Sequence, residues 1–264
     1  MASKIFLNPE VMSGLGEDTF WTWFQRESGA EVGVPKKIGP TDIVLHYSTM
    51  GKPSFPSQTI NLLWELYPEM SLRLGKKFGS KNRRIGKSLV AQWHAVATPY
   101  SRAFYPANTK VLPIAVNAEL FKPGESKSDA KSALGLDPNR PVAFWSGANH
   151  EMKGPDLRDA WLKGNPEWQG LIITKEKPIS QEELALHMQA SDGFLNTSRL
   201  VPYFMVDWEC IAADLPMIEA GGVEREFSLP SSDVRSVLFE KSWDRKSAIQ
   251  LWLKFIDECS FTLK

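Results

Sequence analysis

The sequence predicts an α/β protein in two halves, each a parallel β-sheet covered by helices on both faces. Three observations lead there. Short β-branched runs alternate with stretches of helical periodicity along nearly the whole chain, the rhythm of parallel strands joined by crossover helices. A polar segment from Gly124 to Arg140 (G-E-S-K-S-D-A-K-S-A-L-G-L-D-P-N-R) breaks that rhythm near mid-chain. The 264 residues, 42% hydrophobic and 23% charged, suffice for a proper buried core in one large domain or two small ones.

In the first half, K-I-F-L-N (4–8) reads as a short buried strand, followed by S-G-L-G (13–16) and a helix over 17–26 with Phe20, Trp23 and Phe24 at helical spacing. D-I-V-L-H-Y (42–47) is a second β-branched strand. Ile60, Leu63, Trp64, Tyr67 and Leu74 recur at threes and fours, which predicts an amphipathic helix over 56–74, interrupted near Pro68. The glycine-punctuated basic segment 75–87 reads as a loop, and 93–98 and 110–115 as strands. In the second half a short helix is expected within 124–140, then a strand over 141–146 entering Gly147, a helix over 154–163 and a strand over 171–174. Ser180 opens a helix with Glu183 three residues on, the spacing of a capping box. A strand over 192–196, a helix over 204–213, a strand over 215–218 and an apolar helix over 247–256 complete the chain.

Composition excludes several classes. No apolar run approaches the roughly 18–20 residues needed to span a bilayer. The N-terminal strand is too short for the apolar core of a signal peptide. Two cysteines, Cys210 and Cys259, cannot build a disulfide framework and suggest buried thiols in a reducing cytoplasm. Neither CxxC nor HExxH occurs, and His46, His94, His150 and His187 are scattered, so no metal site is expected. The net charge of zero conceals an asymmetry. Residues 1–123 carry 15 Lys and Arg against 9 Asp and Glu, and the remainder 16 against 22. Residues 70–118 hold no acid at all, while Lys76, Lys77, Lys81, Arg83, Arg84 and Lys87 crowd into a dozen positions. Such asymmetry points to a polyanionic partner for the basic half, against the blander reading of a solvated lysine-rich face.

Three motifs carry chemistry. V-L-P-I-A-V-N-A-E-L-F-K-P (111–123) is an apolar strand running into Pro113 and closed by Phe121 and Pro123. G-A-N-H-E-M-K-G (147–154) places Lys153 immediately before Gly154 and the expected helix start, where a cation and free backbone amides favour a phosphate. S-R-L-V-P-Y-F-M-V-D-W-E (198–209) ends in Glu209, on a helix whose neighbours Trp208, Cys210 and Ile211 are apolar. In that order the three motifs resemble the spine of the GT-B glycosyltransferases of family four. The likeness is good over 109–224 and faint before it.

The resemblance implies a nucleotide-sugar transferase with two Rossmann-like domains and a cleft between them, its acceptor-side half reduced. The expected division is an N-terminal domain over 1–120, a donor-binding domain over 121–245 and a C-terminal helix over 246–264. Lys153 would contact the donor diphosphate, and Glu209 the ribose hydroxyls. Gly147, the A-G-G-V-E loop with Gly221 and Gly222, and the Gly14 and Gly16 turn would let backbone approach the donor. His46, ending its strand, occupies a place where the family often sets a histidine against sugar or acceptor; a satisfied structural histidine is the competing reading. The implied mechanism is retaining and uses no metal or cofactor beyond the nucleotide diphosphate sugar, with a UDP-hexose as the expected donor and a GDP-hexose as the alternative. Two departures stand out. Val201 replaces the first of the family's paired glutamates, and Ala148 replaces an arginine whose charge Arg199 or Lys175 would have to supply. The small N-terminal half suggests a viral or mobile-element enzyme acting in the host cytoplasm. The expected acceptor is DNA bearing hydroxymethylated pyrimidines, with the basic window tracking phosphates. The alternatives are an anionic membrane carrying a lipid or lipopolysaccharide acceptor, and an inactive nucleotide-sugar-binding module. No obligate protein partner is implied.

Overall fold

The computed structural model describes residues 3–8, 17–64, 68, 71–72, 75, 79–174, 176–202, 204–224, 236–240 and 242–263. Their strands are β1 Ile5–Leu7, β2 Glu31–Val32, β3 Ile43–Tyr47, β4 Thr59–Leu62, β5 Trp93–Val96, β6 Lys110–Val111, β7 Val142–Gly147, β8 Gln169–Thr174, β9 Gly193–Asn196 and β10 Met217–Glu219. Their helices are α1 Glu17–Ser28, α2 Gly79–Ser88, α3 Pro99–Arg102, α4 Lys127–Ala133, α5 Pro155–Gly164, α6 Gln181–Gln189, α7 Met205–Ala212, α8 Ser236–Glu240 and α9 Arg245–Thr262. They fall into two units, Met1–Ala115 with Arg245–Lys264, and Val116–Asp244.

The first unit holds a parallel six-stranded sheet in the order β2-β1-β3-β4-β5-β6. The chain leaves β1 toward β2 on one side and β3 toward β4 on the other, so the order reverses between the C-terminal ends of β1 and β3. Every residue of β4 is buried, as befits an inner strand covered on both faces. This corrects the first part of the expected helix over 56–74, where a 3₁₀ turn, Pro56–Gln58, leads directly into β4; residues 68, 71 and 72 are helical as expected. A short apolar run that buries both faces cannot be told from a buried helix by periodicity. Residues 65–67, 69–70 and 73–74 of that expectation lie outside the described residues. The basic segment holds the second correction, since 79–88 is helix α2 rather than loop. Ile85 and Ser88 bury its inner face, and Asn61 of β4 donates to the Ser88 hydroxyl at 2.8 Å. Ladder pairing of the strand expected over 110–115 stops at Val111, just before Pro113, which has no amide hydrogen to offer a neighbour.

Tryptophans knit this unit together. Trp21 of α1 stacks on Trp64 with centroids 5.1 Å apart and meets Trp252 of α9 edge-on at 5.3 Å. Trp252 also donates its indole hydrogen to the Pro113 carbonyl at 2.9 Å, and with Ala248, Ile249 and Ile256 it buries one stripe of α9. The C-terminal helix thereby completes the core begun by the first hundred residues.

The second unit is a parallel four-stranded sheet in the order β10-β9-β7-β8. Ser126 and Ser180 cap α4 and α6 by accepting from the Asp129 and Glu183 amides at 3.2 and 3.1 Å. At the entry to β7, Asp192 accepts from the Val142 amide and pairs with Lys127 and Lys131 at 2.9 and 2.8 Å. Val116 and Asp244, the two ends of the unit, form an isolated parallel bridge, and Trp208 of α7 stacks on Trp243 at 4.3 Å.

Candidate functional site

From β7 the chain moves outward to β8; from β9 it moves the other way, to β10. The crevice between the carboxyl ends of β7 and β9 is therefore the switch point, where open α/β sheets bind ligands. A small pocket opens there. It is lined by Trp145 and Ser146 of β7, Asn196 of β9, Thr197 and Ser198 beyond it, Lys153, and Phe204, Val206 and Asp207 at the start of α7.

Backbone chemistry draws these elements together. Gly147 ends β7, and the chain crosses one 3₁₀ turn, Glu151–Lys153, capped by the His150 side chain. Gly154 then adopts the left-handed conformation at φ 61° and opens α5. A Cβ there would stand 2.1 Å from the Thr197 carbonyl oxygen, so only glycine admits this approach. Thr197 fastens the junction, donating its hydroxyl to the Lys153 carbonyl at 2.6 Å while accepting from the Trp145 indole at 2.8 Å. The diglycine loop is tied down similarly. Gly221 has φ 84°, and the Ala220 and Gly222 amides both reach the Asn196 carbonyl at 3.1 Å. A Cβ on Gly222 would lie 2.7 Å from that carbonyl.

The side chains differ in how they are engaged. The Lys153 ammonium sits 3.0 Å above the centroid of the Phe204 ring, inside the pocket lining. Arg199 grips both Asp156 carboxylate oxygens, at 3.0 and 2.6 Å, and also donates to the Glu151 carbonyl at 2.7 Å. That pairing raises the Arg199 pKa and lowers that of Asp156, keeping both ionised. Asp207 turns back to accept from the Phe204 amide at the head of its own helix. Glu209 is buried on α7, and among the described residues its carboxylate has no hydrogen-bond partner. Loss of solvent, aided by the neighbouring Asp207 charge, pushes its pKa up to about 8.

Other sequence-derived candidates lie in the first unit. His46 is the penultimate residue of β3, beside the sheet's own switch point; it is 5% exposed, with Nε2 2.8 Å from the Gly51 carbonyl. Lys81, Arg83, Arg84 and Lys87 are exposed along α2. Gly14, Gly16, Lys76, Lys77 and Lys175 lie outside the described residues. No group of three or more His, Cys, Asp or Glu that could hold a metal ion occurs among the described residues, and no described helix is long and apolar enough to cross a membrane. Phe204, Thr197 and Trp145 escaped the sequence reading. An aromatic just before a helix start was the only signal for Phe204, and nothing in the sequence pairs it with Lys153, 51 positions earlier.

No family model matches the sequence, and none of the curated proteins matches it. Solved structures do. The chain has two parallel-sheet α/β domains of the kind found in GT-B glycosyltransferases. It is similar to HepE of Anabaena, crystallised with UDP, at a TM-score of 0.60 and 11% identity over 97% of this chain and 100% of that one. Sucrose-phosphate synthase of Thermosynechococcus elongatus aligns at a TM-score of 0.57 and 15% identity, over 96% of this chain and 75% of that one. A glycosyltransferase of Rickettsia africae aligns at 0.53 and 9%, over 98% and 99%.

Proposed function

We propose that this protein is a glycosyltransferase that moves a hexose from a nucleotide diphosphate sugar, most simply a UDP-sugar, to an acceptor hydroxyl with retention of configuration. The observation that carries the reading is the pocket between the ends of β7 and β9, with a lysine ammonium in its lining and a helix opening beside it. A diphosphate bound there meets the positive end of α5 and the Lys153 charge, and both stabilise the negative charge that builds on the leaving phosphate. The GT-B fold of the HepE structure, which holds UDP in one crystal and UDP with glucose in another, supports the choice of donor. Glu209 would take the ribose hydroxyls, and the Gly221–Gly222 turn would bring backbone close to the phosphates. No step in this scheme requires a metal.

For the acceptor we propose a polyanion, DNA with hydroxymethylated pyrimidines. The reading rests on α2, whose exposed cations Arg83, Arg84 and Lys87 stand in a stretch free of acids. Arg199, the candidate replacement for the charge missing at Ala148, is already spent on Asp156, which suits a module that binds a nucleotide sugar without turning it over. Incubation with a panel of nucleotide sugars, each with hydroxymethylated or unmodified DNA, separates the readings. Nucleoside digests examined by mass spectrometry are expected to show an added hexose on the hydroxymethylated DNA alone. Donor binding without hydrolysis or transfer to any acceptor, anionic lipid vesicles included, would favour the inactive module.

A further inference from the structure

Lys153 and Phe204 meet in the lining of the pocket between β7 and β9. A lysine side chain is long and flexible, and fixing it at a phosphate costs conformational entropy. Here the ammonium is already held, 3.0 Å over the ring centroid, in the lining of the β7/β9 pocket. Both partners are themselves anchored. The Lys153 carbonyl accepts from Thr197, whose hydroxyl in turn accepts from the Trp145 indole. The Phe204 amide donates to Asp207, which fixes the ring's backbone at the start of α7. An ammonium has three hydrogens, so a contact with one ring face does not by itself exhaust its capacity to meet an anion.

We propose that Phe204 is a positioning residue for Lys153: its ring face holds the ammonium where a donor diphosphate arrives, and keeps it there in the complex. The proposal rests on the reading of this pocket as the donor site, and its ligand is the diphosphate of a nucleotide sugar. The ring works through its negative face, so replacing its hydrogens by fluorine, which drains that face at nearly constant size, weakens the hold step by step.

The test is UDP and inorganic pyrophosphate affinity, by calorimetry, for a series carrying mono-, di- and trifluorophenylalanine at position 204. Affinity is expected to fall progressively with each fluorine, and Phe204→Leu to weaken it by about 3- to 10-fold, while Phe204→Trp stays within about twofold of the parent. In a Lys153→Met background the same series is expected to be flat. A flat series with Lys153 present, or an equal slope in the Lys153→Met background, would overturn the proposal. A second measurement needs no ligand. After reductive methylation with labelled formaldehyde, the Lys153 methyl resonance, identified by its loss in Lys153→Met, is expected upfield from the ring current and back among the other lysines in Phe204→Leu. An unshifted Lys153 resonance would remove the contact itself. A shifted one with no binding of UDP or pyrophosphate would leave the contact but overturn both the donor reading and the positioning role.

Discussion

At the scale of single residues, Glu209 and Lys153 make the sharpest claims. Burial raises the Glu209 carboxyl from 4.5 to about 8, so between those values the folded protein keeps a proton that the unfolded chain releases. Stability from this group therefore falls as pH rises through that window and levels off above it. Glu209→Gln cannot ionise, and its urea midpoint is expected to depend less on pH than the parent's across the same range. Donor binding runs the other way. A carboxylate that accepts two ribose hydroxyls must be ionised, so UDP affinity is expected to rise with pH and flatten above about 8. Titration calorimetry in buffers of different ionisation enthalpy reads the released proton; an unchanged proton count in Glu209→Gln would remove Glu209 from the donor site. For Lys153→Ala, loss of a charge contact to the leaving phosphate is expected to cut transfer at least about tenfold with the fold intact. Kinetics near the parent's would sink the assignment.

At the scale of elements, the start of α5 and the outer face of α2 are decisive. Gly154 combines positive φ with an approach to the Thr197 carbonyl that leaves no room for a methyl group. Gly154→Ala is expected to destabilise the second unit by about 2–3 kcal/mol and to blunt donor binding with it, because α5 and the β9 loop must part to admit the side chain. Denaturant unfolding read from the unit's own tryptophans checks this. On α2, Arg83 and Lys87 stand one turn apart on the exposed side, away from buried Ile85 and Ser88. If these cations meet DNA phosphates, the logarithm of affinity falls with the logarithm of salt by about 0.9 per contact. Arg83→Ala with Arg84→Ala is expected to flatten that slope by about two while leaving UDP binding unchanged. A slope that stays put, with tight binding to anionic vesicles, would move the acceptor to a membrane.

At the scale of the molecule, the chain enters and leaves the second unit at one place, the Val116–Asp244 bridge, where the Val116 amide also donates to the Trp243 carbonyl at 2.9 Å. Ends that close on each other mark a unit able to fold alone. The isolated segment 116–244 is expected to show cooperative thermal unfolding and to bind UDP with affinity close to that of the whole chain. Removing 245–264 is expected to damage the first unit instead, since Trp252, Ile249 and Ile256 leave its core together. Proteolysis that spares 116–244 while degrading 1–115 would be the signature.

Most β-strands were legible in the sequence because a buried parallel strand is a dense β-branched run between turn residues, as in β3 and β7. Two helix starts were legible for an equally local reason: Ser180 with Glu183, and the Lys153–Gly154 junction before Pro155, are signals carried within one turn of chain. β4 and α2 were not. Their identity depends on what covers them, and a run such as T-I-N-L becomes a strand only when β3 and β5 bind its two edges. The site divides along the same line. The residue types suited to a phosphate, Lys153 and the glycines, stand in the sequence itself. The seat of Lys153 on Phe204, the capture of Arg199 by Asp156 and the burial that lifts Glu209 to about 8 join residues through space, and only tertiary packing decided them.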